Sequence, residues 1–148
     1  MQFDLNVNPL DRVIAGFPGV GKSYLFKGDS EQYADSDSST FDKADFPANY
    51  MRHIAELLGS TDKTIFVSTH DTVRQALIDN GISYTLVYPE MGLKEEYLQR
   101  YRDRGSPESF VKMMSEKWED FISGCERVDH PSVTHIVLLP GQRLADVI

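Results

Sequence analysis

The octapeptide Gly16-Phe17-Pro18-Gly19-Val20-Gly21-Lys22-Ser23 constrains this chain more than any other feature. It matches G-x-x-x-x-G-K-[ST], a pattern that works only between a buried strand and a helix. Both flanks are present. Arg12 to Gly16 (RVIAG) is an apolar run of strand length, and helical sequence follows from about Gly21 to Phe26. Glycines let the backbone curl until successive N–H groups converge on one anion, and the positive end of the following helix adds to that field. Lys22 is placed to reach β- and γ-phosphates, and the Ser23 hydroxyl to ligate magnesium. Gly16, Pro18, Gly19, Val20, Gly21, Lys22, Ser23 and Tyr24 are therefore the candidate nucleotide contacts.

The rest of the chain alternates short apolar strands with helical periodicity. Strands are expected at Gln32 to Asp37, Thr64 to Ser68, Ile82 to Tyr88 and Val133 to Leu139. Asp45 is expected to cap a helix bearing Tyr50, Met51, Ile54, Leu57 and Leu58, with Gly59 as its stop. Further helices are expected from Asp71 to Asn80, closed by Gly81, and from Leu93 to Asp103. Another opens with Ser106 as cap and Pro107 at the first helical position, and its apolar face is Phe110, Met114, Trp118, Phe121 and Ile122. Such alternation implies an α/β fold with a mostly parallel sheet covered on both faces. Ligands then sit beyond the carboxyl ends of the strands.

At 148 residues with 41% apolar content, one domain with one core is expected. Fifteen Lys and Arg against 23 Asp and Glu leave a net charge of −8, which argues against a dedicated nucleic-acid binder. The lone Cys125 excludes a disulfide framework and a cysteine-based zinc cluster. The first residues form no secretory signal, and no apolar run reaches membrane-spanning length, so an intracellular (cytoplasmic) protein without membrane partners is expected.

The D-x-x-G and N-K-x-D motifs of switch GTPases and the L-S-G-G-Q of transporter ATPases do not occur. With GFPGVGKS, DSDSS and the Arg100–Arg104 region together, the chain resembles small P-loop kinases of the nucleoside and nucleotide kinase superfamily. More narrowly, it looks like the compact bacteriophage members of nucleotide or adenylate-kinase-like type, from about Arg12 onward. That resemblance implies a P-loop NTPase fold with a five-stranded parallel sheet of order 2-3-1-4-5. It also implies a helical lid at about residues 90–106, ATP and Mg2+ as cofactors, and a base site against the loop near Gly141, Gln142 and Arg143.

Asp35 and Asp37 lie two apart on one strand, so they share a face and repel unless a ligand or metal separates them. The pair resembles the D-x-D of shikimate- and gluconate-type kinases, which implies magnesium held through Asp35 and an acceptor hydroxyl oriented or deprotonated by Asp37. The bland reading is a self-solvating acidic loop. Arg100 and Arg104 share a helix face; the resemblance makes them lid arginines on the transferred phosphoryl group, whereas Glu96 beside Arg100 also suits a solvated ion-pair helix. Asn49 and Arg52, on the helix after DSDSS, correspond to the acceptor-gripping helix of these kinases. His70 lies at the same edge, as a helix-start residue. Arg74 in HDTVRQA resembles the phosphate-binding arginine of adenylate kinases, although the strand before it ends Ser68-Thr69-His70 without the usual carboxylate.

Two kinds of phosphotransferase fit these residues. A nucleoside monophosphate acceptor needs arginines and no strong base. A hydroxyl acceptor (a nucleoside, a sugar, a polynucleotide end or a hydroxymethylated DNA base) needs Asp37. A nucleotide-binding regulator without transfer is the third reading, and it leaves the paired aspartates and lid arginines without a purpose. The expected activity is transfer of the γ-phosphoryl of MgATP to a nucleotide or nucleoside, with a (deoxy)nucleoside monophosphate preferred.

Overall fold

In the computed structural model, residues 11–36 and 41–148 are described. The chain order is β1 (Val13–Gly16), α1 (Lys22–Gly28), β2 (Tyr33–Asp35), α2 (Ala48–Ser60), β3 (Thr64–Val67), α3 (Asp71–Asp79), β4 (Tyr84–Pro89), α4 (Lys94–Asp103), α5 (Glu108–Glu126) and β5 (Val133–Leu138). Among the described residues these strands form one sheet of order β2-β3-β1-β4-β5, parallel at every pairing. The α/β architecture is the one expected from the strand–helix alternation, and the strand order is the one the resemblance implied.

Central strands are apolar because both their faces are covered. All of β1 and all of β4 are buried, with Ile14, Ala15, Leu86 and Val87 essentially inaccessible. Register fixes the functional edge: Ala15 pairs with Val67, Gly16 with Val87, and Asp35 with Phe66. The segments leaving β1, β2 and β3 thus emerge side by side. Arg12 anchors the entry to β1 by donating to the carbonyls of Leu58 and Lys63 at 2.9 and 3.0 Å.

Several helix boundaries differ from the sequence reading. Asp45 is not the cap of α2; Pro47 holds that position without a side-chain bond, and Asp45 pairs with Arg52 instead. Gly59 does not stop α2, which continues to Ser60. One glycine costs only about 1 kcal/mol in a helix interior, and packing of Tyr50, Met51 and Ile54 outweighs it. Ser106 is not the cap of α5 either. Pro107 occupies the cap position, and the Ser106 hydroxyl accepts from Arg104 Nε at 3.0 Å. Gly124 lies inside α5, and β2 ends at Asp35, two residues before the carboxylate expected at its tip.

The segment expected as a lid is joined closely to the core. Tyr97, Leu98 and Tyr101 of α4 are buried, and Tyr97 meets Trp118 of α5 at 5.7 Å between ring centroids. No helix among the described residues is long and apolar enough to cross a membrane.

Candidate phosphate-binding site

The loop after β1 is built so that its carbonyls face protein. Lys22 Nζ donates to the Gly16 carbonyl. The Phe17 carbonyl accepts from the Val20 N–H at 3.2 Å, and the Val20 carbonyl from the Leu144 N–H at 2.8 Å. The Tyr101 hydroxyl donates to the Pro18 carbonyl at 2.7 Å, and Arg100 Nη1 to the Gly19 carbonyl at 2.8 Å. Five consecutive carbonyls are thereby occupied. Among the described residues nothing accepts from the N–H groups of Gly19 and Gly21. These glycines have φ of +92° and +105°, the left-handed region that presents successive N–H groups to an anion.

A groove of about 860 Å³ opens on this loop. Lys22, Lys27, Arg100, Arg104 and Arg143 line it against a single carboxylate, Asp103. A chain of net charge −8 thus gathers five cations along this groove. Such local potential raises the concentration of an anionic ligand. Ser23 and the 75% exposed Tyr24 complete the α1 wall.

Arg100 and Arg104 both reach the groove by different means. The Arg100 side chain is only 10% exposed: Nη2 donates to Glu96 at 2.8 Å and to the Gln142 carbonyl at 3.0 Å, and its guanidinium lies 4.2 Å from the Tyr97 ring centre. Arg104 is exposed and stacks over the Tyr101 ring at 5.0 Å. The Gly141 N–H donates to Glu96 at 3.1 Å, and the Gln142 side chain accepts from the Leu139 N–H at 2.8 Å. The loop expected beside the base is thus tied to α4 and, through Arg100, to the phosphate loop. Burial pushes the Tyr101 phenol above its usual range, with the Arg104 charge opposing, so it stays a hydrogen-bond donor.

The acceptor candidates separate. Asp35 is exposed at the end of β2, and its carboxylate has no side-chain partner among the described residues. Asp37 lies outside the described residues. The adjacent Ser36 is buried, its hydroxyl 3.2 Å from His53 Nε2 and its carbonyl accepting from the Tyr50 hydroxyl at 2.7 Å. Asn49 donates to the Asp42 carbonyl at 3.1 Å. Arg52 is 66% exposed, paired with Asp45, and lines a groove between α2 and α3 away from the phosphate loop. His70 is exposed at the start of α3. Arg74 donates through Nε to the Thr69 carbonyl and through Nη1 to Gly124, both at 2.8 Å, strapping the β3–α3 connection to α5. Its charge remains, and two of its five N–H donors are used within the protein.

For magnesium, the Ser23 hydroxyl and Asp35 carboxylate are hard oxygen donors at the right edge, and neither is claimed by another described group. The donor set suits Mg2+. No group of three or more His, Cys, Asp or Glu is gathered as a metal cluster among the described residues.

Sequence reasoning passed over Arg127. It is exposed and lines a pocket between α3 and α5, and its guanidinium has no partner among the described residues. In the sequence it is one cation past a long helix, and nothing local marks it. The chain matches no protein-family model, no curated protein and no solved structure.

Proposed function

We propose that the chain is a P-loop kinase that moves the γ-phosphoryl group of MgATP to a nucleotide or nucleoside acceptor, with a (deoxy)nucleoside monophosphate preferred. The observation that supports this reading is the occupied row of carbonyls from Gly16 to Val20 beside the Gly19 and Gly21 N–H groups, from which nothing among the described residues accepts. Hydrogen bonds from backbone N–H groups to an anionic oxygen are among the stronger kinds.

In this reading the triphosphate lies across the loop, and Lys22 and Arg104 face its outer phosphates. Magnesium, when bound, supplies neutralisation of the phosphate oxygens, with Ser23 and Asp35 as its protein-side donors. An oxygen of the acceptor phosphate attacks the γ-phosphorus, the bond to the β–γ bridging oxygen breaks, and ADP leaves. The attacking oxygen is already anionic, so no base is required. A hydroxyl acceptor would surrender a proton, and Asp37 is the residue to take it.

The test is a screen with γ-labelled ATP against nucleosides, nucleoside monophosphates and 5′-hydroxyl oligonucleotides. Label is expected on a monophosphate, and Lys22→Ala is expected to abolish transfer while leaving the folded circular dichroism spectrum. Asp37→Asn is expected to cost little. A loss of about 10²–10⁴ in kcat confined to Asp37→Asn would instead establish a hydroxyl acceptor. ATP binding without transfer to any acceptor would leave the regulator reading.

A further inference from the structure

The phosphate groove does not end at its own walls. Pro18 and Phe110 also line a second pocket of about 600 Å³, which follows one face of α5 from Phe110 past Met113 to Phe121. Its other wall is the β3–α3 connection with His70. That volume lies in the range of small-molecule sites. The Arg52 groove shares no lining residue with the phosphate groove. Phosphoryl transfer requires the acceptor atom within about 3–3.5 Å of the donor, so the acceptor belongs in a pocket that adjoins the phosphate groove, as this one does through Pro18 and Phe110.

We propose that the acceptor is a nucleoside monophosphate held in this α5 pocket, its phosphate at the Pro18–Phe110 junction, its base against Met113 and Phe121, and the base edge read by Arg127. The inference rests on the kinase reading above, and it moves the acceptor from α2 to α5. Phe121 is 36% exposed, an apolar surface that a planar ring would cover. Aromatic and thioether side chains both pack well on such rings. Arg74 lines the same pocket but is held by two carbonyls, so it frames the pocket. Arg127 is the pocket's unengaged guanidinium among the described residues, with donors for a ring nitrogen or carbonyl.

The methionines allow a direct test. Met113 lines the α5 pocket, whereas Met51 lines the Arg52 groove. The full chain, labelled with carbon-13 at the methionine methyls and assigned with Met113→Leu and Met51→Leu, is titrated with each common deoxynucleoside monophosphate. Saturable movement of the Met113 resonance with at least one, and a stationary Met51, is the expected result. Arg127→Ala is expected to weaken that affinity about ten- to a hundredfold, leaving MgATP affinity unchanged. Movement of Met51 alone, or no movement with any monophosphate, overturns the site; equal affinity in Arg127→Ala overturns the role of Arg127. If the monophosphates bind at Met113 but receive no phosphate, the kinase reading fails and the pocket stands. If transfer occurs while Met51 alone responds, the pocket fails and the kinase reading stands.

Discussion

The hydroxyl of Tyr101 donates to the carbonyl of Pro18 across 2.7 Å, joining a helix in the second half of the chain to the turn after the first strand. The ring beneath it is fully buried. Tyr101→Phe keeps the ring and deletes the donor, leaving a loop carbonyl without its partner. A stability loss of about 0.5–1.5 kcal/mol is expected, read by urea denaturation. ATP affinity should fall several-fold as the loop relaxes.

Gly19 carries a stricter requirement. A Cβ built there would lie 2.9 Å from Tyr101 Cε1 and 3.1 Å from Tyr97 Cδ2, at a φ of +92°. Gly19→Ala thus meets both a clash and a conformational cost of about 1–2 kcal/mol. It is expected to lower the melting temperature and abolish ATP binding in calorimetry. Gly28→Ala, with open space around the added carbon, is the control that should melt like the parent.

Arg100 separates a brace from a catalytic lid arginine. Bound to Glu96 and to the Gly19 and Gln142 carbonyls, it shapes the loop. Arg100→Ala is expected to raise the KM for ATP at least tenfold and to lower stability, with Arg100→Lys restoring part of both. A fall in kcat at unchanged ATP KM and unchanged stability would assign it to the transferred phosphoryl group instead.

Alkaline pH is expected to destabilise the fold through buried acids. Burial raises the Cys125 thiol from 9.0 to about 11, and Tyr84 from 10.0 to about 12, with the Arg74 charge opposing in both. Each group stays protonated in the folded chain at a pH where the unfolded chain has released its proton. Their contribution is complete below about pH 9 and is lost as pH rises through the folded values. Chemical denaturation between pH 8 and 11 should show stability falling with pH, and Cys125→Ala should flatten the slope between about 9 and 11. The native thiol is also expected to react slowly with a disulfide reagent at pH 8.

Much of the fold was legible because it is encoded over short distances. The octapeptide Gly16–Ser23 prescribes its own backbone, and the run Arg12–Gly16 is apolar enough to be buried on both faces. Tyr50, Met51 and Ile54 announce α2 by their spacing. Boundaries were less legible, since Ser106 and Asp45 are good caps by type. The chain spends them on Arg104 and Arg52.

Within the candidate site, residue type and local spacing gave Lys22, Ser23 and the Glu96–Arg100 pair, because i, i+4 neighbours on a helix meet whatever the tertiary fold. Spacing could not say that Arg100 bonds the carbonyls of Gly19, 81 residues away, and Gln142, 42 residues away. Nor could it show that Arg74 is held by carbonyls while Arg127 is left unengaged among the described residues, or that Arg52 lies in a groove apart from the loop after β1. Those outcomes depend on how the helices close against the sheet and one another. Short-range sterics and backbone hydrogen bonding write the elements and the glycine-rich loop into the sequence; long-range packing chose which cations brace that loop and which stay exposed in the grooves beside it.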